Sequence, residues 1–179
     1  IAGKLEGKVI QNCHVMGLTS ICLHEEPNNR VRIFYAEPSH ELWRNSISEH
    51  YNFTNLMSLG VHSHRTDIRL SGIFGNAVNV KVALRDPGHN NYLEECEYGS
   101  LIVDGKASLQ PTGRRFSVNV ATVEHLTRDN GCFYMPADRM HTIYLEKGRG
   151  AAWMVTEGKS GKNYDSKCYT NNPVMAQRL

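Results

Sequence analysis

The stretch GVHSHRTDIRLSGIFGNAVNVKVAL (residues 60–84) indicates the fold class of this chain. Within it, residues 67–74 and 78–84 alternate apolar side chains with polar or small ones, which is the period of half-buried strands. The same alternation predicts five further strands, at residues 31–37, 98–103, 116–123, 141–146 and 151–157. Turn signals rich in Gly, Pro, Asn and Asp separate them. Many short strands at this spacing favour a β-sandwich or a β-barrel over alternating α/β units.

One helix is predicted ahead of these strands. Ser39 could cap residues 40–51, in which Leu42, Trp43 and Ile47 lie near one helical face. The N-terminal residues 4–24 could supply one or two further strands. The pattern therefore divides the chain into N-terminal strands with a helix (residues 1–55), a barrel (56–158) and a C-terminal tail (159–179). We expect the tail to be loop or to contact a partner.

Composition limits the classes of partner. The chain has 179 residues, enough for one domain with a buried core. A formal net charge of +2 is too small to indicate nucleic-acid binding. No apolar run is long enough to span a bilayer, so we expect no membrane partner. The five cysteines form no CxxC pair, which predicts reduced thiols in a cytoplasmic protein.

His62 and His64 are the informative residues of the opening stretch. Side chains two residues apart in an extended strand point to the same face, so both imidazoles can reach one ion. His141, at the start of a predicted strand, is the third candidate ligand. Three imidazoles would hold a metal ion on one side and leave coordination positions open for catalysis. Spacing alone leaves open that these are ordinary strand histidines that bind nothing.

Two segments resemble the motifs of the cupin superfamily. GVHSHRTDIRLSGIFGN (residues 60–76) resembles the first motif, with its HxH and later glycine. GCFYMPADRMHTI (residues 131–143) resembles the second, with Gly, Pro and His in that order. The resemblance covers about residues 56–158. It implies a double-stranded β-helix, a jelly-roll barrel whose interior holds the metal at the three histidines.

The chain departs from the cupin pattern at the Glu that usually follows the second histidine. Ile68 and Arg69 stand at that place. A three-His site is similar to the iron centre of thiol dioxygenases such as cysteine dioxygenase. The resemblance therefore implies a non-haem Fe(II) dioxygenase acting on a small molecule. The alternatives are a Zn, Mn or Ni isomerase or lyase and a non-catalytic module that binds a ligand or partner. A homodimer is expected by analogy with cupins.

Other residues could complete the site. Arg69 could hold a substrate carboxylate through paired hydrogen bonds, and Tyr134 could act as an acid or hydrogen-bond donor. Surface charge for Arg69 and core packing for Tyr134 are the plainer interpretations. Asp67 could add a carboxylate ligand if a bulge turned it inward. The acidic residues 94–97 could also supply a ligand, but a solvated loop is the simpler expectation.

Overall fold

A computed structural model describes residues 12–15, 18–26, 29–36, 56–58, 61–64, 66–88, 93–103, 106–146, 148–158 and 167–170. These ranges contain thirteen β-strands and no helix. The helix predicted for residues 40–51 lies outside the described residues. No helix long and apolar enough to cross a membrane is found in the described part of the chain.

The strands belong to two antiparallel sheets. In chain order they are β1 (Asn12–Val15), β2 (Leu18–Glu26), β3 (Asn29–Ala36), β4 (Leu56–Ser58), β5 (Val61–His62), β6 (Ile68–Phe74), β7 (Ala77–Arg85), β8 (Leu93–Val103), β9 (Lys106–Leu126), β10 (Cys132–Met135), β11 (His141–Glu146), β12 (Ala151–Glu157) and β13 (Lys167–Thr170). The first sheet has the order β1-β2-β3-β12-β6-β10. The second has the order β4-β11-β5-β13-β8-β9-β7, and β7 also pairs with β11.

Four antiparallel pairings nest inside one another along the chain. β7 pairs with β9, β6 with β10, β5 with β11, and β3 with β12. A long two-stranded ribbon wound in this way places β3-β12-β6-β10 in one sheet and β5-β11-β7-β9 in the other, which is the jelly-roll order. The fold is therefore a double-stranded β-helix, the barrel type of the cupins. The predicted all-β class is confirmed.

The main core lies between the two sheets. Ile143 and Leu145 of β11 pack there against Leu70, Trp153 and other side chains of the first sheet. The ring of Trp153 stacks on that of Phe34, with centroids 5.8 Å apart. These apolar positions are the inward-facing members of the alternation in the sequence. Alternation of this kind explains why the sequence predicted the strands so directly.

One glycine is required by the close approach of the two sheets. A Cβ atom on Gly72 of β6 would lie 2.4 Å from the carbonyl oxygen of Leu126, at the end of β9. No larger residue fits against a backbone at that distance. Gly72 therefore allows the two sheets to meet at this edge of the barrel.

A second core lies on the opposite face of β7 and β11. Its members are Val61, Val78, Val80, Val82, Val118, Met140, Tyr144 and Tyr169. β13 covers it by bridging β5 and β8, while β8 and β9 lead back to β7. We expected loop or partner-binding tail beyond residue 158, whereas Lys167–Thr170 is a strand of the barrel. Its four residues are too few to show a clear alternation in the sequence.

Candidate metal centre

The three predicted histidines come together at one end of the main core. His62 ends β5 and His141 begins β11, and the two residues are direct partners across the strand pair. His64 follows β5 by two residues. The nitrogen atoms that each ring can offer lie within 4.8 Å of one another. Ring centroids are separated by 4.6, 4.9 and 5.0 Å.

The spacing of the His64 and His141 rings fits two ligands of a single metal ion. The Nε2 atoms of His64 and His141 are 2.8 Å apart. Metal–nitrogen bonds of about 2.1 Å place two ligands about 3.0 Å apart at a right angle and about 3.4 Å apart at the tetrahedral angle. The observed separation is nearest the right-angle value, as in a facial set of three ligands. The same separation also allows a hydrogen bond between the two rings, so it is compatible with a metal without requiring one.

Two of the rings are neutral at physiological pH. Burial, followed by the charge of His62, lowers the pKa of His64 from 6.5 to about 3. Burial lowers the pKa of His141 well below its usual value, and the charges of His62, His64 and Lys81 add to the effect. Metals bind the neutral form of imidazole. His64 and His141 therefore need lose no proton to an incoming ion.

A chain of hydrogen bonds leads away from His141. Its Nδ1 lies 2.6 Å from Oδ1 of Asn79, and Nδ2 of Asn79 donates to Oε2 of Glu124 at 2.7 Å. Nζ of Lys81 donates to Oε1 of Glu124 at 2.5 Å. An ionised carboxylate only accepts hydrogen bonds, so the amide NH2 of Asn79 faces Glu124 and its oxygen faces His141. His141 then carries its proton on Nδ1, and the lone pair of Nε2 points toward the other two histidines.

The sequence did not predict Asn79, Lys81 and Glu124 as parts of the site. The alternation of residues 78–84 predicts a half-buried strand but does not indicate which polar side chains would lie next to the histidines. In the structure Asn79 is fully buried, and Lys81 is the direct cross-strand partner of His141. The signal that could have found them is this pairing of β7 with β11, which a single sequence does not contain.

Arg69 and Tyr134 lie away from the histidines. Arg69 is exposed between the buried Ile68 and Leu70, so it points out of the barrel. Tyr134, 51% exposed, is the cross-strand partner of Arg69 on β10. Strand alternation is the reason, since the residues flanking each of them face inward. The structure does not bring either residue to the metal centre, and their catalytic role stays an unsupported prediction.

Asp67 has a different role from that of a metal ligand. Its Oδ2 accepts a hydrogen bond from the Tyr134 hydroxyl at 2.7 Å, and its Oδ1 accepts one from the backbone N–H of Ala137 at 2.9 Å. The hydrogen bond from Tyr134, followed by that from Ala137, lowers the pKa of Asp67. Asp67 therefore stabilises the turn that follows β10. It does not belong to the histidine group.

The acidic residues 94–97 belong to strand β8 and not to a solvated loop. Glu97 is buried, and its carboxylate accepts hydrogen bonds from Thr112 at 2.8 Å, Lys167 at 3.0 Å and Tyr169 at 3.1 Å. Burial raises the pKa of Glu97, but the hydrogen bonds from Lys167, Thr112 and Tyr169 outweigh it and the pKa is lowered. None of these acidic residues belongs to the histidine group found among the described residues.

Strand β13 holds the residue between the two histidines of the HxH motif. The backbone N–H of Ser63 donates to the carbonyl oxygen of Lys167 at 2.9 Å. In return the backbone N–H of Lys167 donates to Oγ of Ser63 at 3.0 Å. These two bonds fix the backbone from which His62 and His64 project.

Comparisons with known proteins gave matches among solved structures. No family model matches the sequence, and no curated protein matches it. The DMSP lyases RdDddP and RnDddQII give a solved structure with a TM-score of 0.44 and 13% identity, covering 83% of this chain and 51% of that one. This chain thus spans about half the length of that lyase.

Two further solved structures are of cupins. A cupin superfamily protein from Desulfitobacterium hafniense has a TM-score of 0.41 and 10% identity, over 89% of this chain and 88% of that chain. A cupin domain from Bordetella pertussis has a TM-score of 0.39 and 11% identity, over 80% and 95%. The fold assignment rests on the strand order of this chain itself.

Proposed function

We propose that the protein is a metal-dependent enzyme of the non-haem Fe(II) dioxygenase type, acting on a small molecule. The observation that carries the proposal is the convergence of three imidazoles with no carboxylate in the group. When bound, the ion supplies open coordination positions at which substrate and O₂ can be activated. Both atoms of O₂ would enter the product, so the reaction needs no added reductant.

The chain itself would hold the ion. His62, His64 and His141 would each give one neutral nitrogen. Val61 and Met140, which neighbour His62 and His141 in sequence, are buried in the second core and would hold the backbone next to these ligands.

A second candidate is an isomerase or lyase that uses Zn, Mn or Ni. Three neutral ligands cancel none of the ion's charge, and a fully dipositive ion is a strong Lewis acid. Such an enzyme would not consume O₂. The identity of the bound metal and the measurement of O₂ uptake therefore distinguish the dioxygenase from the isomerase or lyase.

The test starts with metal content. We would purify the protein without added metal, measure its metals by elemental analysis, and titrate the metal-free form with Fe(II) under anaerobic conditions. One ion per chain is expected, with binding lost in His62→Ala, His64→Ala and His141→Ala. His125→Ala is the matched control, because His125 is an exposed histidine that contacts Asn76 and not the group.

The outcomes separate the candidates. Iron bound at one per chain, with O₂ uptake on a panel of small thiols and carboxylates, supports the dioxygenase. Turnover without O₂ uptake by the Zn, Mn or Ni form supports the isomerase or lyase. No stoichiometric binding of any of these ions, even after reconstitution, overturns the proposal and leaves a non-catalytic binding module.

We also propose that the protein is cytoplasmic. Cys22 and Cys132 are free thiols in the part of the chain that the structure describes. Free thiols are typical of proteins in a reducing compartment.

A further inference from the structure

We infer that Asn79 and Glu124 form a positioning pair that fixes Nε2 of His141 as its metal-binding nitrogen. The inference rests on the proposed function, because it concerns how one ligand of the metal is held. Glu124 does not belong to the group of three histidines, and Asn79 faces Nδ1 of His141 and not Nε2. Their action is on the orientation and protonation of His141.

The direction of the hydrogen bonds carries the inference. Lys81 can only donate, and the ionised Glu124 can only accept. The amide of Asn79 must therefore present its NH2 to Glu124 and its oxygen to His141, at 2.7 and 2.6 Å. Of the four side chains joined by these hydrogen bonds, the imidazole of His141 can carry its proton on either nitrogen. The oxygen of Asn79 requires that the proton lies on Nδ1.

The opposite arrangement shows what the pair prevents. If the amide of Asn79 were reversed, its NH2 would donate to Nδ1 of His141, and the ring proton would move to Nε2. That proton would point at Nε2 of His64, only 2.8 Å away, and would block the lone pair needed for a metal. A neutral imidazole with an unfixed amide partner would divide between the two forms.

The position of the pair argues for this role over simple packing. Asn79 is fully buried on a strand whose other buried side chains, such as Val78 and Val80, are apolar. A buried amide contributes little net stability compared with an apolar side chain of similar shape. Besides Glu124 and His141, the amide of Asn79 contacts the sulfur of Met135, at 3.6 Å. The buried amide of Asn79 is therefore explained by its two hydrogen bonds, which connect Glu124 with His141.

The decisive experiment exchanges the amide and the carboxylate. Asn79→Asp puts a second carboxylate against Glu124 and removes the donor between them. Glu124→Gln removes the acceptor-only partner, so the amide of Asn79 loses its fixed orientation. The double variant Asn79→Asp/Glu124→Gln keeps an acceptor for Nδ1 of His141 and restores the donor–acceptor contact behind it. Each single variant is expected to bind metal about 10- to 100-fold more weakly, and the double variant to recover most of that loss.

The probe is Zn(II), titrated against a competing chelator so that no activity is needed. Val80→Ala is the matched control, since Val80 is fully buried on the same strand but faces the second core. It should lose stability while keeping the wild-type Kd. Nitrogen-15 NMR of the zinc-loaded wild type should show the ring proton of His141 on Nδ1, and a mixed or reversed signal in Glu124→Gln.

The results distinguish the inference from the proposed function. Wild-type protein that binds no metal overturns both. Wild-type protein that binds metal, with single variants binding no more weakly than Val80→Ala, overturns the inference alone. A double variant no better than Asn79→Asp would also overturn it, because loss of packing would then explain the single variants.

Discussion

The group of hydrogen-bonded side chains around the buried Glu97 and the half-buried group of three histidines differ in how their members are matched. In the Glu97 group, one carboxylate accepts hydrogen bonds from Lys167, Tyr169 and Thr112. In the histidine group, three side chains of the same kind face one another within 4.8 Å. In the Glu97 group, the acceptor is a carboxylate and the donors are a lysine of opposite charge and two hydroxyl groups. The second contains like groups, two of them with strongly lowered pKa values.

This difference separates a structural group from a candidate binding site. A buried carboxylate surrounded by donors ties strands together and needs nothing further. Three imidazoles brought together lose hydration and gain little from one another. Folding tolerates such a group when a ligand later makes use of it. The comparison leads to four predictions, beginning with the largest effect.

The first prediction concerns the stability that Glu97 provides. Glu97→Ala should lower the free energy of unfolding by about 3 kcal/mol, because Lys167 and Tyr169 lose a buried acceptor. Urea denaturation measures the change. Glu94→Ala is the control, since Glu94 is on the same strand but makes an exposed pair with Arg115 at 3.3 Å, worth less than about 1 kcal/mol. Equal losses in both variants would contradict the structural role of Glu97.

The second prediction concerns stabilisation by metal. Zn(II) at 100 times its Kd should raise the free energy of unfolding of the wild type by about 2.7 kcal/mol. His64→Ala should lose this increment, whereas Glu97→Gln should keep it despite its lower starting stability. Denaturation with and without zinc measures both. An increment that survives in His64→Ala would show that zinc binds somewhere else.

The third prediction assigns the two groups to different pH ranges in metal-free protein. Because the folded pKa of His64 is about 3 and its ordinary value is 6.5, the unfolded chain binds a proton first as pH falls below 6.5. Stability therefore falls through that range, by at most about 1.4 kcal/mol per pH unit for each group. The lowered pKa of Glu97 contributes stability that is lost only below its ordinary value of 4.5.

Unfolding free energies measured from pH 7 to pH 3.5 test this division. His64→Ala should flatten the profile from pH 6.5 downward, whereas Glu97→Gln should leave it unchanged above pH 4.5 and flatten it only below that value. A change in the profile of Glu97→Gln above pH 4.5 would contradict this division.

The fourth prediction concerns Ser63, which connects the two groups. Ser63→Ala removes the acceptor for the N–H of Lys167 and should cost about 1 kcal/mol. It should also weaken zinc binding, because His62 and His64 flank it. Ser117→Ala is the control: its buried hydroxyl has no hydrogen-bond partner among the described residues, so its loss should be neutral or stabilising. Unchanged zinc affinity in Ser63→Ala would show that β13 does not support the site.

The parts of the molecule that depend on local pattern were predictable from the sequence. Strands predicted at 141–146 and 151–157 have these bounds in the structure, as β11 and β12. The convergence of His62, His64 and His141 followed from strand geometry and from the resemblance to cupin motifs. Pattern and family resemblance agreed because both reflect the same inward-facing positions.

The parts that depend on pairing between distant strands were not predictable. Asn79 and Glu124 become neighbours of His141 only when β7 lies between β9 and β11. Arg69 and Tyr134 are close to the motif histidines in sequence, but strand alternation turns them outward. Closeness in sequence is thus a poor guide to which polar side chains surround a site in a barrel.

The contact between Ser63 and Lys167 has a consequence for the order of events during protein synthesis. These residues are 104 positions apart, and the ribosome releases the histidine motif long before it adds Lys167. A growing chain cannot form the hydrogen bonds between Ser63 and Lys167 until β13 has emerged from the ribosome and paired with β5. The hydrogen bonds that Lys167 makes to Ser63 can therefore form only after all the other described strands have been synthesised. Free ions in the cell meet an HxH segment held in this way only on a chain that has reached that length.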